Sequence, residues 1–330
     1  MLKNRSILYL ALITLLFVVA ILHLFSGQIS IAFSDYLNAL WNYDPNDTEQ
    51  IIVRELRFPR MVAATIAGSG LAISGMLMQT LFNNPLAGPY VLGINSGSSL
   101  FVALSMFTGS SFFQTNLGIA GAALTGAFIS GIIILFFSFK LRSTVSLLLI
   151  GLMLGGFTSS IVGILEMHSG AQDLKSFTLW SMGSLQHVTN SQLPSILSFF
   201  LLSTSLLIFI IKPLNAMVLG EKAAENLGVN IKRFRLICIG ITAMYAGLIT
   251  AFCGPIAFVG LAIPNLTRIV FKTQNHSHLI LANFIIGSTF LLIIDSGIQL
   301  MEPIIALPLN AVTSLIGAPF IIYIVIKKLK

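Results

Sequence analysis

Residues 213–235 read PLNAMVLGEKAAENLGVNIKRFR and form the one long polar interval in the second half of a very apolar chain. The interval is basic at both edges, through Lys212 just before it and Lys232, Arg233 and Arg235 at its end. Within it, 220–228 reads as a short helix that stops at a C-terminal glycine, Gly228, with Glu221 and Glu225 one turn apart on one face. Ala223, Ala224 and Leu227 make a small apolar face beside them. So short a helix buries little by itself, which leaves two readings: an ordinary connector, or a surface on which another protein docks.

What flanks the interval defines the class. Of the 330 residues, 56% are hydrophobic and 9% charged, and the mean hydropathy is +0.94. That leaves too little polar surface to cover a water-soluble globule. The apolar runs are about 16 to 25 residues long with short polar breaks, the helical length needed to cross a hydrocarbon core of about 30 Å. The short alternating segments of a transmembrane barrel are absent. The expected fold is therefore all-α: one polytopic membrane domain over residues 1–330 with about ten transmembrane helices. Cys238 and Cys253 fall at opposite ends of one expected span, about 22 Å apart at helical rise, so they cannot bridge.

Upstream, Lys3 and Arg5 precede an uncleaved first span over 6–25. The polar interval 26–58 follows, with Asp35, Asp44, Asp47, Glu49 and Glu55 and then Arg54, Arg57 and Arg60. Arginines three apart would sit on one helical side, ready either for the carboxylates of a partner or for the loop's own acids. The second span, 61–82, contains AGSGLAISG, where Ala64, Gly68, Ala72 and Gly75 make a small-residue stripe suited to close helix packing. Two prolines in 83–89, NNPLAGP, rule out a continuous helix there. Spans over 90–107, 117–139 and 145–165 come next. Gly151, Gly155, Gly156, Ser159 and Ser160 in the last of these fit either close packing or the polar lining of a conduit. Glu166 and His168 are two apart with no further ligand types nearby, which makes a poor metal site, and none is expected. A short surface helix through Trp180 precedes the sixth span, 193–211.

Beyond the opening interval, spans are expected over 236–253, from Gly254-Pro255 through a kink at Pro264, over 279–300 and over 304–326. Asp295 is the only acid within a span; it is either a proton-coupling group or a structural partner for water or an arginine, the structural reading being the simpler. Ten spans place both termini on one side. Of the 18 basic residues, all but Arg54, Arg57, Arg60 and Lys175 then fall on that side, which the positive-inside rule makes cytoplasmic. The net charge of +7 therefore reports topology and contact with lipid, and no nucleic-acid partner is expected. No GxxxxGK[ST], HExxH, CxxC or nucleophile elbow occurs, so the chain carries neither its own phosphate loop nor an evident catalytic set. Midplane ionisable residues of the kind secondary transporters use are scarce. A conduit energised by another subunit remains.

Several motifs sharpen this: Arg57-Phe58-Pro59-Arg60, Ser74-Gly75, Gln79, Asn84-Pro85-Leu86-Ala87, Leu92-Gly93, Ser96-Gly97, Gly220-Glu221, Ala224 and Leu227-Gly228. They continue through Gly254-Pro255-Ile256-Ala257-Phe258-Val259-Gly260-Leu261, Ile263-Pro264, Arg268, Asp295 and Gly317-Ala318-Pro319-Phe320. In this order, over nearly the whole chain, they resemble the permease subunits of ABC importers for iron-siderophore, haem and vitamin B12. The resemblance implies a vitamin B12 importer permease-like fold, a second permease copy, two ATP-binding subunits holding ATP and magnesium, and an extracytoplasmic substrate-binding protein. It implies no cofactor on this chain.

By the same resemblance, Gly220, Glu221, Ala224, Glu225, Leu227 and Gly228 form the helix that couples to the ATPase. Asn84, Leu86, Ser143 and Thr144 fall at the cytoplasmic gate, and Arg57 and Arg60 meet acids of the binding protein. Asn265, Ala306 and Asn310 depart from the family pattern, and Gln299 stands where an arginine often follows the span-nine aspartate, leaving Asp295 without that near partner. The expected function is import of an iron(III)-siderophore, with haem or cobalamin as alternatives and an ion-coupled secondary transporter as the reading from another class.

Overall fold

The computed structural model describes residues 2–90, 92–107, 115–141 and 144–329, and among these every regular element is helical. In chain order, α1 (Leu2–Phe25) is followed by α2 (Phe33–Trp41) and the one-turn α3 (Thr48–Ile51), which Asp47 caps by accepting from the amides of Glu49 and Gln50. A π-helical segment, Ile52–Arg57, carries α3 directly into α4 (Phe58–Leu81). Next come α5 (Ile94–Phe107), α6 (Asn116–Lys140), α7 (Thr144–His168) and α8 (Ala171–Ser181), the expected surface helix through Trp180. A 3-10 turn, Asn190–Gln192, leads into α9 (Leu193–Leu207) and α10 (Ile211–Met217). The chain ends with α11 (Glu221–Asn226), α12 (Ile231–Cys253), α13 (Val259–Phe271), α14 (His276–Met301) and α15 (Leu309–Leu329).

Six of these are long and apolar enough to cross a membrane: α1, α4 with its extension, α6, α7, α12 and α14. The α9–α10 pair passes the same test as one span bent by 57°, and α5, α13 and most of α15 are shorter apolar helices. Together they account for the ten apolar runs of the sequence. The bend in the sixth span falls at 208–210, and Pro213 lies in the first turn of α10 beyond it. A proline there has no amide to give residue 209 and its ring crowds that carbonyl, so a straight helix through the site is disfavoured.

α4 is the axis of the bundle. It is buried along almost its whole length, against α14, α12 and α13. Its small-residue stripe is what lets these helices close in. A Cβ built on Gly68 would lie 2.2 Å from the Gly287 carbonyl oxygen of α14, and one on Gly75 would lie 1.7 Å from that of Gly260 in α13. The packing reading of AGSGLAISG thus holds. Cys238 and Cys253 are both buried and free.

α5 and α13 differ from the continuous spans the sequence suggests. Each is too short to cross alone and each follows non-helical chain, in which 87–89, 92–93 and 254–256 are buried in the bundle. Irregular backbone at membrane depth is tolerated only where protein or a cavity surrounds it. Here the chain turns through Gly93, Gly254 and Phe258, all at positive φ, and Asn310 Oδ1 accepts from the Ala257 amide at 3.0 Å.

Candidate functional site

α11 sits beside the end of α6 that carries Lys140 and the start of α12 that carries Lys232, Arg233 and Arg235, called here the basic end. Gly220 at φ +97° opens the helix and Gly228 at φ +85° follows it, a conformation that costs glycine little and a β-branched residue a great deal. Ala224 is fully buried, whereas Leu227 after the helix and Leu219 before it are 64% and 68% exposed. The two glutamates expected on one face have separate surroundings. Glu225 is exposed, while Glu221 turns back and receives both bonds of the Arg235 Nη2 group, at 2.8 and 3.1 Å.

Arg235 is itself 7% exposed, and its Nη1 donates to the carbonyls of Ser138 and Leu141 at 3.1 Å each. One guanidinium therefore joins α11, α12 and the last turn of α6, immediately before the 142–144 connection. Its planar fork of donors suits the task as a lysine's point charge would not. In the sequence Arg235 is only one of several basic residues; its burial and triple role were not visible there.

Asn84 and Leu86 lie in the loop after α4 at the same end. Asn84 Oδ1 accepts from the Leu86 amide at 2.9 Å, and Leu86 is 42% exposed. α13 holds this loop: Asn265 Nδ2 donates to the Pro85 carbonyl at 2.9 Å, and Gln79 Nε2 to that of Leu261 at 3.2 Å. Arg268 in turn donates to Gln79 Oε1. Asn265, a departure from the family pattern, is thus a loop anchor. Thr144 opens α7, and Ser143 lies outside the described residues.

At the opposite end, Arg57 and Arg60 point into the chain. The wide π-helical turn rotates Arg57 away from Arg54, so the three arginines do not share a side. Arg54 is exposed, its guanidinium 4.2 Å from the centre of the Tyr43 ring. Arg57 is 7% exposed and donates to the carbonyls of Leu24, Phe25 and Ile29 and to the Tyr36 hydroxyl. Burial raises the Tyr36 hydroxyl above the ordinary phenol range, against the opposing pull of Arg57. Gly27 makes this clasp possible, since a Cβ there would lie 2.9 Å from Arg57 Nη2.

Arg60 forms a two-pronged pair with Asp295, Nε to Oδ2 at 2.8 Å and Nη2 to Oδ1 at 3.0 Å. His23 Nε2 lies 2.7 Å from Asp295 Oδ2, and Gln299 Nε2 lies 3.1 Å from the same oxygen. Asp295 therefore has an arginine partner, as the structural reading expects, and Gln299 bonds the same carboxylate from the position where an arginine often stands. A pairing of Arg57 or Arg60 with acids of another protein would first have to break these bonds. His23, spaced 37 residues from Arg60 and 272 from Asp295, gave no local signal of its place in the cluster.

A profile of the FecCD transport family matches residues 15–327. The molybdate import system permease of Haemophilus influenzae is 32% identical over 92% of this chain and 91% of its own length. The hemin transport system permease of Yersinia pestis is 32% identical, covering 96% and 94%, and the vitamin B12 import system permease of Vibrio parahaemolyticus is 34% identical over 84% of each. A solved structure described as an inward-facing metal-chelate type ABC transporter matches with a TM-score of 0.86 at 30% identity, covering 98% of this chain and 99% of that one. The chain belongs to the FecCD transport family. It is the permease subunit of an ABC importer, a multi-pass inner-membrane protein that works with an ATPase and a substrate-binding partner, and a transport protein rather than an enzyme.

Proposed function

We propose that this permease carries an iron(III)-siderophore complex across the cytoplasmic membrane. It works as a homodimer, with two ATP-binding subunits at the basic end and the substrate-binding protein at the other, and both termini are cytoplasmic. The permease holds no cofactor of its own; ATP and magnesium belong to the partner. The observation that carries the cargo assignment is the full-length likeness to a metal-chelate type transporter. Relatives named for hemin, vitamin B12 and molybdate are about equally similar, so the assignment needs a direct test. With the cognate binding protein, uptake of a labelled ferric siderophore should be unaffected by excess haemin, cyanocobalamin or molybdate. Strong competition by one of these would assign that cargo instead.

In this reading α11 is the coupling helix. Leu227, Glu225 and the neighbouring exposed leucine meet the ATPase, while Gly220 and Gly228 set the helix's angle and Ala224 seats it. Glu221 and Arg235 pass its movement to the end of α6, and the gate residues are Asn84, Leu86, Ser143 and Thr144. Arg235→Met keeps most of the side-chain stem and removes the link. Transport should fall by about tenfold or more, while ATP hydrolysis persists and loses its stimulation by the loaded binding protein; the cost in stability should stay near 1–3 kcal/mol, because Glu221 is 35% exposed and can rehydrate. Equal losses of transport and stimulated hydrolysis in a fully folded Lys212→Met control would show that any basic residue at this end has the same effect.

Gly228→Val should also uncouple, because valine resists positive φ and the helix must reorient to accept it; no neighbouring atom stands within 4 Å of the new Cβ among the described residues, so insertion and folding should survive. Normal transport by the valine variant would count against docking through α11.

At the outer face, Arg57 and Arg60 support the binding-protein platform from within: Arg57 clasps 24–29 and α2, and Arg60 holds α4 to α14. Arg54, exposed on the same segment and in no ion pair among the described residues, is the arginine that meets a carboxylate on the partner.

A further inference from the structure

The interval after α1 reads as a polar loop, yet α2 within it has three different sides. Tyr36 and Ala39 are buried and pack with Leu24, Ile31 and Val53. Phe33, Leu37 and Trp41, at the i, i+4, i+8 spacing of one helical face, are 65%, 44% and 81% exposed. Ser34 and Asn38 are exposed on the third side, with Asp35 half-buried beside them. One side thus meets the protein, one is apolar and open, and one suits water.

The level at which α2 lies decides what covers the apolar side. The Tyr36 hydroxyl donates to the Leu24 carbonyl at 2.9 Å, its ring centre is 4.5 Å from that of Phe25, and Phe33 stacks on Phe25 at 6.2 Å between centres. Arg57 donates to the same Leu24 carbonyl and to the Tyr36 hydroxyl, which fixes the two helices in this relation. The first turn of α2 therefore runs alongside the last turn of α1 and does not stand off into water. α1 is a membrane span that this chain covers along only a small part of its surface, and Phe17, Ile21 and Phe25 form an exposed stripe on it. That stripe turns the corner at 26–32 and continues as Phe33, Leu37 and Trp41.

From this continuity we infer that α2 is an interfacial helix whose partner is the phospholipid surface of the leaflet opposite the basic end. Phe33, Leu37 and Trp41 lie among the headgroups and upper acyl chains, while Ser34 and Asn38 face the water. Amphipathic helices with aromatic apolar sides bind membranes in this way, and tryptophan favours that depth because its ring is apolar and its N–H polar. A soluble protein seated on this side would have to displace the lipid that covers the adjoining stripe of α1. Through the Arg57 clasp, the anchor sets the height of the segment that carries Arg54. The inference depends on neither the cargo nor the energy source.

The test uses the full-length permease with Trp180→Phe, which leaves Trp41 as the only tryptophan, in phosphatidylcholine vesicles. Trp41 should emit at shorter wavelength than tryptophan in water. Lipids brominated close to the headgroup should quench it at least about twofold more than lipids brominated at the chain ends, the pattern of a ring roughly 5–10 Å into the boundary. Emission at the aqueous position with no quenching by either lipid would overturn the inference. So would shielding that develops only when the substrate-binding protein is added, because that protein would then be the occupant. A second readout keeps both tryptophans. Cys238 and Cys253 are buried, and Leu37 and Asn46 are exposed, so Leu37→Cys and Asn46→Cys each add one accessible thiol. Thiolate is the reactive form and apolar surroundings suppress it, so in vesicles the thiol at position 37 should react with a maleimide about tenfold or more slowly than that at position 46. Equal rates would place position 37 in water and overturn the inference even if the tryptophan variant failed to fold.

Discussion

A single methyl group at position 75 should remove the folded permease from the membrane. The Cβ of Gly75→Ala would lie 1.7 Å from the Gly260 carbonyl oxygen, 2.5 Å from its carbonyl carbon and 2.8 Å from its Cα. All three atoms are backbone, so no side-chain rotation relieves the overlap; α4 and α13 must separate. That separation would also disturb the bonds that tie Gln79 of α4 to α13 and Asn265 of α13 to the loop after α4. The variant should fail to accumulate, or should elute from detergent as aggregate. Gly240→Ala is the control, because its Cβ meets nothing within 4 Å among the described residues, and helix propensity should make that change neutral or slightly favourable. A Gly75→Ala protein that melts within a few degrees of wild type would mean that the close approach of α4 and α13 is not required.

The second large effect is expected at Asp295. The carboxylate is 2% exposed and joins α14 to α4 through Arg60 and to α1 through His23. Asp295→Ala leaves the Arg60 guanidinium, 12% exposed, without its counter-charge, and removal of one member of a buried pair costs about 3–5 kcal/mol. Asp295→Asn keeps an acceptor for Arg60 and should cost less than alanine. Replacing both partners together, as Asp295→Leu with Arg60→Met, should recover much of the loss, since no charge is then stranded. Thermal melting of the four proteins in one detergent gives the order. If Asp295 served proton coupling instead, Asp295→Asn would retain stability while transport lost its response to a collapsed proton gradient.

The spans were legible because apolar length is a property of composition, and one helix's worth of apolar residues has few alternatives in lipid. Depth was not legible in the same way. The runs that became α5 and α13 have the right length only when their irregular lead-ins are counted, and hydropathy cannot distinguish a helix from buried non-helical chain of the same residues. Pro213 did mark the bend in the sixth span, although its position just past an apolar run suggested a boundary there. At the sites, local features survived: Gly228 has the positive φ expected of a glycine that ends a helix, and the stripe of α4 packs as small residues should.

What the sequence hid were pairings across the chain. Arg57 and Arg60 look alike in spacing, yet one caps the loop after α1 and the other neutralises Asp295 from 235 residues away. Arg235 looks like one more positive residue at a membrane face until burial shows it bridging α11 to α6.

The central claim is that this permease imports a ferric chelate on energy from ATP hydrolysed by its partner. Proteoliposomes holding permease and ATPase, with ATP sealed on the nucleotide-binding side and loaded binding protein outside, test it most directly. Labelled ferric siderophore should accumulate only with hydrolysable ATP, and ionophores that collapse proton and sodium gradients should leave the rate unchanged. Uptake that proceeds without ATP and stops when an ion gradient is collapsed would contradict the account.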